Sequence, residues 1–430
     1  MSTVAPSPTV GRPGGPARGP LGEFFLGGGR SRRILWLVIG GLVLISAVRA
    51  ISGEDALTSS SVMSAALLLA VPIGLAGLGG LWSERAGVVN IGLEGMMILG
   101  TWGACWAGYQ WGWAAAIAGG VLFGALGGLL HAVATVTFGV DHVVSGVAIN
   151  ILAAGLARFL SELLYTDNPA GGGVTQSPAL SSDPPRVSLP ILSSGPDLLG
   201  DLERKHWFLI SDLAGILRGA TNGVGLLTIL AVLLIPVTYL ILWRTAFGLR
   251  LRSCGENPWA ADSLGVPVYR LKYFAVIVSG MLAGLGGVFL VFIAGIYREN
   301  QTNGRGFIGL AALIFGNWRP GGLAVGAGLF GYSDGLQLRS RSAVVALFLL
   351  VAVVLFAIAG WQATKRKFVQ GGTAAVCGGL ALWLFLTVDV LPPGIVSFTP
   401  HVTTLLVLSL ASQRLRPPKA DGLVYRRGEH

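Results

Sequence analysis

Residues 273–297 read YFAVIVSGMLAGLGGVFLVFIAGIY, 25 residues without a single Asp, Glu, Lys, Arg or His. A helix rises about 1.5 Å per residue and a bilayer's hydrocarbon core is about 30 Å thick, so a run of this length reads as a membrane crossing. Similar apolar segments fall at 34–50, 62–81, 95–109, 112–138, 143–165, 224–243, 307–317, 321–338, 343–360, 373–391 and 401–411. Two of these, 307–317 and 401–411, are about half the length of a straight span and read as broken or re-entrant helices. The expected fold is all-α, a polytopic transmembrane helix bundle of about 10–12 segments with broken or half helices.

Composition agrees. Apolar residues make up 53% of the chain and charged residues 12%, where a soluble protein carries about 25% charged residues. A soluble enzyme, a disordered chain and a collagen-like fibre are thereby excluded. The 65 glycines suit close approach of helix backbones in lipid, where no hydrophobic effect draws helices together. Cys105, Cys254 and Cys377 lie far apart, without CxxC or His spacing, and indicate neither a disulfide framework nor a zinc site.

Basic residues concentrate in four places. These are a Pro- and Gly-rich tail over 1–33 (Arg12, Arg18, Arg30, Arg32, Arg33), the loop 244–272 (Arg244, Arg250, Arg252, Arg270, Lys272), the Lys365-Arg366-Lys367 loop, and a tail over 412–430 (Arg414, Arg416, Lys419, Arg426, Arg427). The positive-inside rule makes all four cytoplasmic, and counting each segment as one crossing gives the same sides. The permease domain would then span 34–411, with both tails cytoplasmic in a cell membrane and 166–222 as an external loop. In that loop the apolar patch Trp207 to Ile210 reads as a short helix lying on the membrane surface. Ser31-Arg32-Arg33 has the look of a twin-arginine export signal, but the many spans that follow argue against it.

The sharpest local signal is Gly255-Glu256-Asn257-Pro258-Trp259-Ala260-Ala261-Asp262-Ser263-Leu264-Gly265. Asn257 suits an N-cap, Pro258 the first helical position and Gly265 the residue just past the end, so a two-turn helix sits in the 244–272 loop. The Ala260-Ala261 pair offers a low surface for a partner groove; an ordinary capped loop helix would carry the same caps. Ser83 to Gly95 forms a second cluster. Ionisable groups at the membrane edge are costly and so are functional candidates. Asn90 and Glu94 share a face if this stretch is helical, while Glu84 and Arg85 pair with headgroups or each other in the blander reading. Asp141-His142 and Asn150 raise the same question one segment later. Gly326-Ala327-Gly328-Leu329-Phe330-Gly331 matches GxGxxG, but inside an apolar helix it reads as packing, like Gly120, Gly124 and Gly128 or Gly280 and Gly284. None of the five lysines follows a glycine, so a Walker A loop is absent, and HExxH is absent too.

Four blocks in this order, Ser83 to Met97, Asp141 to Leu160, Gly255 to Lys272 and Gly304 to Asp334, resemble the permease subunits of nucleoside-type ABC importers, within the branched-chain amino acid and simple-sugar permease group. The resemblance covers about Val62 to Leu338 plus a final helix near 400–416; the extra segments at 343–391 and the long N-terminal tail depart from it. It implies no enzyme and no cofactor in this chain. It further implies ATP use by a separate cytoplasmic ABC ATPase, a second permease subunit and an external substrate-binding lipoprotein. By the same resemblance Gly255, Glu256, Asn257, Pro258, Ala260, Ala261, Asp262 and Gly265 couple to the ATPase. Asn90, Glu94 and Asn150 line or support the substrate path, and Phe307 to Asn317 form the broken helix beside the outer gate. Alternatives are a permease for a simple sugar, a secondary transporter or facilitator coupled through membrane charges, and an intramembrane enzyme, for which no paired acid and base are visible.

Overall fold

The computed structural model describes residues 29–187, 197–388 and 415–428. Fifteen α-helices are found among them, with a single two-residue strand pair, β1 (Arg186–Val187) and β2 (Val224–Gly225). In order the helices are α1 (Gly29–Ser52), α2 (Ser60–Arg85), α3 (Leu93–Trp111), α4 (Trp113–Ala132), α5 (His142–Tyr165), α6 (Leu198–Arg204), α7 (Ile210–Thr221) and α8 (Leu226–Arg244). They continue with α9 (Ala246–Glu256), α10 (Pro258–Ser263), α11 (Val268–Ala294), α12 (Arg305–Phe315), α13 (Pro320–Arg339), α14 (Arg341–Thr364) and α15 (Phe368–Thr387). Seven are long and apolar enough to cross a membrane: α2, α4 with its π-helical extension to Thr137, α5, α8, α11, α14 and α15. The apolar segment expected at 401–411 and most of the 1–33 tail lie outside the described residues.

The crossings begin and end on local signals. Ser59 caps α2 by accepting from the Val62 amide, and Asp141 caps α5 by accepting from Val143 and Val144. Gly295, at φ +73°, closes α11 in the left-handed region that glycine enters at no steric cost. At the centre lie α2 and α11, the most buried spans. Helix α11 packs on α2, α3 and α4, and α2 also packs on α12 and α13. The two glycine series face each other across α4 and α11. A Cβ at Gly128 would sit 2.6 Å from the Val276 carbonyl, and one at Gly124 or Gly280 would overlap the opposite backbone. In the GxGxxG match, Gly326 and Gly331 are likewise in helix contacts, whereas nothing lies within 4 Å of Gly328.

The loop expected as one surface helix near Trp207 is different. Trp207, Phe208 and Leu209 form a turn, with Leu209 at φ +65°, and the helix is α7, which follows it. Its amphipathic face packs on the start of α2, and buried Asp212 pairs with buried Arg49 of α1 at 2.8 Å. The loop is thus tied to the bundle by a charge pair rather than floating on it. The extra helices α14 and α15 pack on each other, and α14 also meets α1.

The glycine seam sets the first expectation. Gly284→Leu places a side chain into the Gly120 and Gly124 backbone and should cost at least about 1–3 kcal/mol, read as a lower melting temperature in detergent. Gly328→Leu, facing open space, should leave that temperature unchanged; equal shifts would mean the seam is not close-packed.

Candidate functional site

Between α2 and α3 the chain runs non-helically over Gly87–Gly92 inside the bundle. Backbone groups there have no helical partners and little water, so side chains must satisfy them. His142 Nδ1 accepts from the Val89 amide at 3.2 Å, and His131 Nε2 lies 3.0 Å from the Val89 carbonyl. That carbonyl can only accept, so His131 carries its proton on Nε2, leaving Nδ1 to accept from Ser145 at 2.9 Å. Asn150 donates to the Ile91 carbonyl at 3.1 Å and accepts from the Gly95 amide at 2.7 Å, capping α3 from a neighbouring helix. Asn90 donates to Ser279 at 2.8 Å and is fully buried.

Asn90 therefore precedes the helix that holds Glu94, and the two do not share a helical face as the four-residue spacing implied. Glu94 points elsewhere. Its Oε1 accepts from the Gly304 amide at 2.9 Å and its Oε2 from the Gly306 amide at 2.7 Å. One carboxylate thus closes the first turn of α12, where a negative charge also favours the helix dipole. Helix α12 has 11 residues, about 16 Å, half the thickness of a bilayer core. The segment leading to it starts near Tyr297, whose amide donates to Ser177 beside Cys105 on the far part of α3. From there the chain runs back along α3 to Glu94, so α12 begins in the interior of the bundle.

The other end of α12 is held by α2. Glu84 accepts from the Trp318 indole at 2.5 Å, and Arg85 donates to the Trp318 carbonyl at 2.6 Å and 3.1 Å. Glu84 and Arg85 do not pair with each other; together they clasp one residue. Asn317 and Trp318 are both at φ +53°, a region costly for non-glycine residues, so the turn is held by its contacts. Asn317 accepts from the Arg416 amide at 2.8 Å. Phe307, on α12, is half-exposed.

The short helix in 244–272 forms as its caps indicate. Asn257 Oδ1 accepts from the Ala260 amide at 3.0 Å, Pro258 opens α10, and Gly265 sits at φ +79°. Ala261, expected on the outer surface, is instead buried in a cluster with Cys254, Val268, Leu271 and Tyr425. Ala260 and Ser263 are what α10 presents outward, together with Leu264 just past its end, which has 84% of its surface exposed. An apolar side chain so exposed at the tip of a capped turn carried no periodicity that would have marked it. Gly255 packs on the Arg85 backbone, Glu256 lies 3.9 Å from Arg85, and Asp262 pairs with Arg427 at 3.2 Å.

These residues fall into two groups. Asn90, Glu94 and Asn150 surround the starts of α3 and α12, and Gly255 to Gly265 lie with Glu84, Arg85 and Asn317 at the basic end of the bundle. A cavity of about 120 Å³ between α2, α8 and α13 is lined by apolar side chains and glycines such as Leu67, Val71, Gly74 and Ile235, and touches neither group. His131, Ser145, Ser279 and Trp318 were not singled out in the sequence, because the stretch they serve has no pattern until it is folded.

The Glu94 cap yields a second expectation. Glu94→Ala would leave the Gly304 and Gly306 amides unpaired and buried, at about 1–3 kcal/mol for each group. Glu94→Gln, which keeps one good acceptor, should lose less. Thermal melting of the two variants in detergent tests the order; equal losses would mean that the single acceptor kept by Gln stabilises nothing.

Residues 62–360 match the family model described as branched-chain amino acid transport system / permease component. The guanosine ABC transporter permease protein NupQ of Bacillus subtilis is 39% identical over 288 residues, covering 65% of this chain and 82% of the relative. The nucleoside ABC transporter permease protein NupC of Lactococcus lactis is 33% identical over 368 residues, 84% of this chain and 94% of the relative. TsgC13 of Haloferax volcanii, provisionally named a glucose ABC transporter permease protein, is 34% identical over 375 residues, 85% and 95%. No solved structure matches the chain. The family match runs from the first turn of α2 into α14 and includes both halves of the site. The chain is a multi-pass membrane protein and belongs to the branched-chain amino acid transport system / permease component family.

Proposed function

We propose that this chain is the membrane permease subunit of an ATP-driven ABC importer that takes up nucleosides by alternating access. The observation that carries the reading is the pairing of two features at one end of the bundle. There α10, separately capped and followed by the outward-facing Leu264, continues directly from α9, which packs through Gly255 against Arg85, the residue that holds the loop of the half-helix α12. A partner pressing on α10 would act within two contacts of that loop. The names of NupQ and NupC support nucleosides as the cargo.

In this reading the basic end is cytoplasmic, as are both tails, and α10 docks into a separate ABC ATPase. A second permease subunit completes the membrane part, and an external binding lipoprotein delivers the substrate. ATP is consumed by the ATPase; this chain makes and breaks no bond and holds no cofactor. ATPase closure shifts α10, and the bundle moves between two packed arrangements rather than deforming continuously. Asn90, Glu94 and Asn150 support the path by fixing the starts of α3 and α12, and Phe307, the half-exposed residue of the otherwise largely buried α12, is best placed to meet cargo. The TsgC13 name favours a sugar as the second reading, in the same architecture.

Two measurements test the proposal. Proteoliposomes holding the whole complex should take up labelled nucleoside only with ATP and an intact ATPase, with competition by unlabelled nucleosides and not by glucose or ribose. Competition by sugar alone would move the cargo to the second reading, and full uptake without ATPase would reject the importer. Leu264→Glu should weaken docking of the ATPase by about 2 kcal/mol, measured as its dissociation constant from the permease; an unchanged constant would remove α10 from the interface.

A further inference from the structure

Residues 415–428 are not a loose tail. They lie along the basic end of the bundle and join elements that are distant in sequence. At one end the Arg416 amide donates to Asn317, in the turn after α12. In the middle the Ala420 amide donates to the Gly255 carbonyl at 2.9 Å, and the Ala420 carbonyl lies where a Cβ on Gly87 would be 3.2 Å away. Asp421 sits against Glu84, and burial raises its carboxyl to about 7, against the lowering effect of Glu84's hydrogen bond and the charges of Lys272 and Arg85. Gly422 packs near Val89 and Val424 near Gly139. At the far end Tyr425 is buried, its ring 5.8 Å from Trp259 of α10 and 5.4 Å from Tyr269 of α11, and Arg427 pairs with Asp262 of α10.

One short stretch of chain thus grips α10 at Trp259 and Asp262, the end of α2 at Glu84, and the end of α12 at Asn317. Helix α10 is otherwise connected to the bundle through α9 and α11. Ala261, on its inward face, shares a cluster with Tyr425. A movement of α10 that keeps these contacts must carry the segment with it, and the segment ends on the turn that Glu84 and Arg85 hold.

We propose that residues 415–428 are a strap that transmits motion of α10 to the Trp318 clasp and the half-helix α12, with Tyr425 as the positioning residue that seats α10 on the strap. This rests on the reading of α10 as the ATPase-docking helix, and adds to it a route by which docking reaches the membrane interior. Without the strap α10 would still dock, but its motion would not be carried to the turn after α12. The ATPase would then cycle without moving cargo.

The experiment uses the complete complex in proteoliposomes and measures uptake and ATP hydrolysis together. Tyr425→Ala should cut uptake by about tenfold while the ATPase remains bound and active, so that more ATP is spent per molecule imported. Tyr425→Phe, which keeps the ring between Trp259 and Tyr269, should restore most of the coupling, a rescue that a general loss of fold would not give. Removal of residues 415–430 should uncouple at least as strongly as Tyr425→Ala. If the wild type needs ATP and both Tyr425→Ala and the chain lacking residues 415–430 keep its ratio of ATP to cargo, the strap is overturned and the parent reading stands. Loss of the bound ATPase in Tyr425→Ala would also overturn it, by making the segment a plain docking surface. Uptake by the wild type without ATP would instead reject the parent reading.

Discussion

A helix that starts inside an apolar bundle leaves its first amide groups without partners, and each one buried unpaired costs about 1–3 kcal/mol. Here the Glu94 carboxylate takes two of them, at Gly304 and Gly306. Much of the site follows from that requirement. The start of α3 must lie beside the start of α12, and Gly306 must be small, since a Cβ there would fall 2.6 Å from the Glu94 backbone. The start of α3 is then itself buried, and Asn150 supplies the acceptor it lacks. Two buried helix starts are stabilised by two polar side chains, Glu94 and Asn150.

In the proposed transport cycle, that arrangement would give a rigid bundle a movable part. Helix α12 is short, closed at one end by Glu94 and at the other by the Glu84-Arg85 clasp on Trp318. Around it α2, α4 and α11 are fixed by glycine seams with no room for a single extra methyl group. Close packing favours discrete arrangements over gradual bending. In that cycle a shift delivered at the basic end would act on the turn 316–319, whose left-handed Asn317 and Trp318 depend on outside contacts.

The fold was legible in the sequence wherever length and apolarity decide it. The long spans, the short 307–317 piece and the 257–265 helix all appear, because a run of 25 apolar residues or an Asn-Pro start followed by a glycine has few other solutions. The facing glycine series on α4 and α11 were visible as spacing, though not as partners. Three things could not be read. That Ala261 turns inward depends on Tyr425, more than 160 residues away in the chain. The relation of Asn90 to Glu94 depends on α3 starting only at Leu93, after a non-helical stretch that the histidines hold open. The tail 412–430 is readable only as charge, because the order of residues 415–428 comes from scattered single contacts without a period.

The claim beneath this account is that Glu94 holds the first turn of α12 inside the bundle. Hydrogen–deuterium exchange over residues 304–309, followed by mass spectrometry on the unmodified protein, tests it most directly. The first amides of a helix ordinarily exchange fast, for want of an acceptor. With Glu94 in place, this peptide should exchange as slowly as the centre of α11. Exchange as fast as that of the preceding loop, 298–303, would contradict the account.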